Sequence, residues 1–148
     1  MRIRAAVGTD LPTIVAIERA SETAPHWAEA AYRLASESCD RCLLVAEECG
    51  ILGFVAAAIA AGEAELESVV VDQSSRRRGI GRELCAAIIS WARAAGASTL
   101  SLEVRYSSTG ATALYRSLGF RGLGSRPNYY SAPPDDALIL SLDLTQTG

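Results

Sequence analysis

Residues 69–82 run Val69-Val70-Val71-Asp72-Gln73-Ser74-Ser75-Arg76-Arg77-Arg78-Gly79-Ile80-Gly81-Arg82. The valines close a run from Glu63 that reads as a strand. From Ile80 onward, Ile80, Leu84, Ile88 and Trp91 recur at helical spacing as far as Gly96, a suitable C-terminal cap. Ser74 and Ser75 are candidate N-caps for that helix. The arginine- and glycine-rich segment therefore lies where a strand hands over to a helix. A helix start presents unpaired N–H groups and the positive end of the helix dipole. Arginines there oppose the dipole unless an anion is bound, and glycine weakens the helix. Both costs fall in one turn, and a pyrophosphate resting on the loop amides accounts for them. The bland alternative is an ordinary capped helix whose basic first turn is solvated. The G-x-x-x-x-G-K-[ST] loop of nucleotide-binding folds is absent, and a G-x-G-x-x-G pattern fails at Leu84.

Upstream, Arg2 to Ala6 reads as a short strand. Thr9 or Asp10 caps a helix with Pro12 in its first turn and Ile14 and Ile17 on its apolar stripe. Ser21 to Pro25 breaks it, and a second helix is expected from Trp27 to Ser36, with Trp27, Ala31 and Leu34 on one side. Cys42–Glu47 and Leu52–Ile59 flank the turn Glu48-Cys49-Gly50 as a hairpin, and Glu63–Val71 completes an antiparallel meander. Downstream, Leu100–Arg105 reads as a strand. Ser107 or Ser108 caps a shorter helix bearing Ala111, Leu114, Tyr115 and Leu118, which Gly119 stops. Phe120–Leu123 begins a strand, Gly124–Asp136 is expected to be a long loop, and Ala137–Leu144 is the last strand. This order predicts an α/β (α+β) fold: a mixed, mostly antiparallel sheet of about seven strands flanked by about four helices, in one domain over residues 1–148.

Hydrophobic residues make up 49% of the 148 and charged residues 21%, as in a folded globular chain. The net charge of -3 argues against a nucleic-acid partner and suits a basic peptide or amine. No signal peptide is recognisable, and no run reaches the ~18 apolar residues of a membrane span, so the expected location is the cytoplasm. Cys39 and Cys42 form a C-x-x-C, but no second pair follows and the sole histidine is His26. No metal is expected, and the thiols are read as reduced and mostly buried.

The valine strand, short loop, R-x-x-G-x-G and helix resemble the coenzyme A-binding motif of the GNAT superfamily of N-acetyltransferases. Ala113-Leu114-Tyr115-Arg116-Ser117-Leu118-Gly119-Phe120 resembles that family's second signature. His26-Trp27, Leu102-Glu103-Val104-Arg105, Arg126-Pro127-Asn128-Tyr129-Tyr130 and the end from Asp136 to Leu144 resemble the bacterial ribosomal-protein alanine N-acetyltransferases of the RimI type.

The resemblance implies acetyl-CoA as co-substrate and direct attack of a neutral amine on its thioester. It implies that Glu103 is the base, acting through a water, although alternation alone leaves Glu103 a surface residue beside Ser101 and Arg105. Glu65 or Glu67, on one face of the preceding strand, could hold that role instead, attract a basic peptide, or be solvated. Tyr115 is the implied acid, and its place on an apolar stripe also fits a core aromatic. The backbone of Val69, Val70 and Val71 would hold the pantetheine arm, and the loop amides from Arg77 through Arg78, Gly79, Ile80 and Gly81 to Arg82 the pyrophosphate. Ser108 stands where the family usually has Asn, with a shorter reach to the cofactor. Trp27, Tyr129 and Tyr130 would line the acceptor groove, or serve as packing residues. The implied acceptor is the N-terminus of an alanine-first protein such as a small-subunit ribosomal protein. The alternatives are a small amine, a lysine, or a non-catalytic acetyl-CoA sensor.

Overall fold

One seven-stranded sheet, order β1-β2-β3-β4-β5-β7-β6, organises the chain. The computed structural model describes residues 1–145, so residues 146–148 of the expected domain lie outside the described residues. In chain order the elements are β1 (Arg2–Ala5), α1 (Leu11–Arg19), α2 (Glu29–Glu37), β2 (Arg41–Glu47), β3 (Ile51–Ala60), β4 (Glu63–Val71), α3 (Ile80–Ala94), β5 (Thr99–Arg105), α4 (Thr109–Ser117), β6 (Arg121–Ser131) and β7 (Pro134–Asp143). All neighbouring strands are antiparallel except β4 and β5. The expected mixed sheet with four helices is the fold observed. No helix among the described residues is long and apolar enough to cross a membrane.

Each face of the sheet carries an apolar core. On one, Leu84, Cys85 and Ile88 of α3 pack with Leu100 and Leu102 of β5 and Leu140 of β7. On the other, Leu11 and Ile14 of α1 and Tyr32 and Ala35 of α2 pack with Val45, Phe54 and Val70. Burial of such side chains stabilises the fold by about 1.5–3 kcal/mol each, before entropy is charged against it. The contacts of α2 correct the expected stripe. Tyr32 and Ala35 are buried, whereas Leu34 is 62% exposed and Ala31 half-buried. Tyr32 sets the phase because its ring stacks edge-on against Phe54 at 5.5 Å and reaches Trp27 at 5.2 Å.

Three further expectations change. Ser74 and Ser75 do not cap α3; they lie in a 3-10 turn, Gln73–Ser75, and Gly79 occupies the N-cap with φ 77°. The span Gly124–Asp136 is no loop but most of a β6–β7 hairpin. As an edge strand with residues 121–129 exposed, β6 has no apolar alternation to read. It also tolerates Pro127 at a register shift between Arg126 and Tyr130. The four thiols are free, but only Cys42 and Cys85 are buried; Cys39 and Cys49 are exposed in turns.

The site is shaped by β4. Its register with β3 skips Glu67: Leu66 faces Ala57 and Ser68 faces Ala56. This bulge changes the strand's phase. Before it, Ala64 and Leu66 point into the α3 core; after it, Val69 and Val71 do, and Val70 joins the opposite core. Pairing of β4 with β5 is confined to Glu63–Glu65 against Thr99–Ser101, while β5 stays paired with β7 along its whole length. Beyond Glu65 the two parallel strands part.

Candidate active site

A cavity of about 650 Å³ opens where β4 and β5 diverge. Glu65 to Val70 of β4 form one wall and Glu103 to Arg105 of β5 the other. Ser108, Ala111 and Tyr115 enter from α4, and Tyr129 to Ala132 from the β6–β7 hairpin. The segment between α1 and α2 closes the remaining side with Ser21 and Thr23 to Pro25. Five separate stretches of chain thus meet at one opening in the sheet. Glu65, Glu67, Glu103, Tyr115, Tyr129, Tyr130, Val69, Val70 and Ser108 all line it. Trp27 does not; it packs against Tyr32 behind that wall.

The carboxylates of the cavity have different partners. Glu67 receives a 2.6 Å bond from Arg41, whose guanidinium lies 5.7 Å from the Trp27 ring centre. Glu103 Oε1 lies 3.8 Å from Arg126 Nε, while Oε2 is buried with no hydrogen-bond partner among the described residues. Proximity of the Glu103 carboxylate to the Tyr129 hydroxyl holds that phenol above its ordinary value. Glu65 has no ion pair among the described residues, and its carboxyl is held above the usual range by burial, then by Glu67 and Glu103. A buried acceptor oxygen without a donor is costly in a folded chain. Glu103 Oε2 is one of five buried side-chain atoms without a partner among the described residues, with Glu18 Oε1, Arg41 Nε, Arg105 Nε and Thr112 Oγ1, and it is the one carboxylate oxygen among them that belongs to a residue lining the cavity.

Tyr115 approaches from the α3 side of the sheet. It is 5% exposed, with its ring edge-on to Phe120 at 5.7 Å. Burial raises its phenol well above the ordinary value, so the hydroxyl keeps its proton across the working pH range. That hydroxyl makes no hydrogen bond to another described residue, and Tyr115 lines the cavity. Core packing and access to the cavity are therefore combined in one side chain.

The basic loop lies apart from the cavity, at the start of α3. Arg77 (φ 66°) and Gly79 (φ 77°) are both left-handed, and no side chain caps the helix. Successive unusual dihedrals turn backbone N–H groups together, the geometry of an anion cradle. Gly81 leaves room beside Val71 and Leu114; a Cβ there would meet them at 3.8 and 3.7 Å. Arg76, Arg77 and Arg78 are exposed, with Arg78 reaching both Glu48 oxygens at 3.0 Å. Arg82 donates to Ser117 Oγ at 2.7 Å, tying α3 to α4. The loop, the end of β4 and the cavity together suit an elongated ligand with phosphates at one end and an uncharged arm.

Two residues of the site carried no sequence signal of their role. Glu18 is fully buried and accepts bonds from the Tyr32 hydroxyl and, at 2.9 Å, from the Trp27 amide, anchoring the α1–α2 wall. In sequence it is one more charged residue on a helix. Arg105 is buried against the hairpin turn; alternation with Glu103 places it on the cavity face but says nothing of its partners.

The acetyltransferase (GNAT) family model matches residues 11–120. The [ribosomal protein bS18]-alanine N-acetyltransferase of Escherichia coli K12 is 35% identical over 141 residues, 93% of each chain. The crystal structure of the ribosomal-protein-S18-alanine N-acetyltransferase from Escherichia coli superposes with a TM-score of 0.87 at 31% identity, covering 99% of this chain and 96% of that one. The structure of yncA from Salmonella typhimurium with its cofactor acetyl-CoA shares the fold, with a TM-score of 0.86 at 22% identity over 100% of this chain and 96% of that one.

Proposed function

The chain belongs to the acetyltransferase (GNAT) family and is an acetyl-CoA-dependent N-acetyltransferase, and we propose that its acceptor is the α-amino group of an alanine-first protein such as a small-subunit ribosomal protein. The same reading takes residues 1–148 as one domain working in the cytoplasm without a metal.

One observation carries the assignment of roles: the unmatched Glu103 oxygen and the protonated Tyr115 hydroxyl belong to one cavity, reached from opposite faces of the sheet. Acetyl-CoA supplies an activated acetyl thioester. The amides of Arg77 to Arg82 would hold its pyrophosphate and the edge of β4 at Val69 to Val71, which β5 leaves unpaired, its pantetheine arm, with Ser108 alongside. Glu103 takes the proton released by the acceptor amine, through a water. An α-amino group has a pKa near ~8, so a carboxylate suffices near neutral pH. As the new N–C bond forms and the C–S bond breaks, Tyr115 gives its proton to the departing sulfur. Glu65 and Glu67 face the incoming chain, with Tyr129 and Tyr130 on the opposite wall.

The test is acetyl transfer to three acceptors, read by mass spectrometry: an alanine-first basic peptide, the same peptide with a blocked terminus and free lysines, and small amines. The free-terminus peptide should react best. Equal reaction of the blocked peptide would replace this acceptor with a lysine or small amine. Binding of acetyl-CoA with no transfer to any of them would leave a sensor.

A further inference from the structure

Arg105 is the one buried arginine among the described residues, 7% exposed, and no carboxylate pairs with it. Burying a guanidinium is costly unless its donors are met. Here two of its three nitrogens are met by the turn of the β6–β7 hairpin, while Nε is buried with no partner among the described residues. Nη1 donates to the Pro133 carbonyl at 2.7 Å and Nη2 to the Ala132 carbonyl at 3.3 Å. Its Cζ lies 4.2 Å from the centre of the Tyr130 ring, within cation–π range. Tyr130 and Ala132 both line the cavity.

The other end of this clamp is Glu103. Glu103 and Arg105 share one face of β5, and β7 pairs with that strand at Ile139 and Ala137. The base and the guanidinium therefore ride on one rigid ladder. The turn and Tyr130, by contrast, belong to an edge hairpin whose register slips between Arg126 and Tyr130. Its β7 side is tied to β5 by the ladder as far as Ala137, by the Tyr106 amide donating to the Asp136 carbonyl at 2.9 Å and by Ser107 Oγ donating to Asp135 Oδ2 at 2.5 Å. Arg105, by contrast, is the side chain of β5 that reaches the Ala132–Pro133 turn and the Tyr130 ring on its far side.

We propose that Arg105 is a positioning residue for the acceptor: it pins the Ala132–Pro133 turn and the Tyr130 ring to the strand that carries Glu103, and so sets the width of the acceptor channel. This rests on the reading that the acceptor amine binds in this cavity. A planar two-pronged donor that also stacks on a ring is a role an ammonium cannot fill.

The test uses the full chain with Arg105→Lys and Arg105→Gln, together with Tyr130→Leu, which removes the ring but leaves the carbonyl bonds possible. All three should raise the KM of the alanine-first peptide by about tenfold or more. In the two Arg105 variants turnover at saturating peptide should change less than about threefold, and acetyl-CoA affinity should stay at the wild-type value. Amide hydrogen exchange over Tyr130 to Asp135 should quicken in the Arg105 variants alone. An unchanged KM in both Arg105 variants overturns the proposal. So does a loss of acetyl-CoA affinity and melting temperature that accounts for the whole effect, since that marks a structural role. If the wild-type enzyme ignores peptides, the N-terminal reading fails separately. The same rise in KM is then required on the best small amine, and its absence overturns the clamp.

Discussion

The loop proposed for the cofactor and the cavity proposed for the acceptor are built on opposite plans. The loop is one contiguous stretch, Arg76 to Arg82, and its left-handed residues and uncapped helix start present backbone groups. The cavity draws on five distant stretches and presents side chains: Glu103, Tyr115, Tyr130 and the carboxylates of β4. A backbone cradle depends on dihedrals, so it tolerates most side-chain changes and is sensitive at its glycines. A side-chain cavity depends on individual groups held by long-range contacts. Substitutions in the two regions should therefore separate cleanly into changes of cofactor affinity and changes of acceptor chemistry.

The largest effects belong to the cavity. Glu103→Gln should lower turnover by ~10²–10⁴ with little change in melting temperature. Part of the loss should return at high pH, where more acceptor amine is already neutral. If Glu65→Gln produces that pattern and Glu103→Gln does not, the base sits on β4. Tyr115→Phe keeps the ring against Phe120 and should cost a similar ~10²–10⁴ in turnover. A fall in stability with turnover intact would assign Tyr115 to packing alone.

In the loop, Gly81→Asp adds bulk and negative charge at the start of α3. Calorimetry should show coenzyme A affinity falling about tenfold or more while the acceptor KM holds. A shift in acceptor KM instead would break the division between the two regions. The smallest effect is expected at Glu65, which lacks the ion pair that Glu67 makes with Arg41. Glu65→Gln should raise the KM of a basic peptide by a few-fold, about 1 kcal/mol or less, and the effect should shrink in salt. The raised Glu65 pKa sets its pH range. The charge attracts a cationic chain above that value and is lost as pH falls through it, starting above the ordinary carboxylate range. A peptide KM that is flat across this range in the wild type would remove Glu65 from recognition.

Legibility followed the same division. The strand–loop–helix at 69–82 was readable because its signals are local: a β-forming run, then arginines and glycines, then a helical period. What failed there was only the cap, since Ser74 and Ser75 belong to a 3-10 turn. The hairpin at 121–143 is hard to read from sequence because an exposed edge strand carries no apolar alternation and its prolines, serines and Asn128 are turn-forming residue types. The stripe of α2 differs from the expected one because the ring of Tyr32, a residue with a polar hydroxyl, sets the packing.

The sequence by itself determined the order of elements and the strand–loop–helix at 69–82, because each depends on residues within a few positions of one another. The tertiary structure decided the rest. The Glu67 bulge reverses the phase of β4 and lets it part from β5. Glu18 and Arg105 become buried anchors, and Glu103 and Tyr115, twelve positions apart on a strand and a helix, face one cavity. Each of these outcomes depends on which distant segment supplies the missing hydrogen-bond donor, acceptor or apolar surface, and that is fixed only when the chain closes on itself.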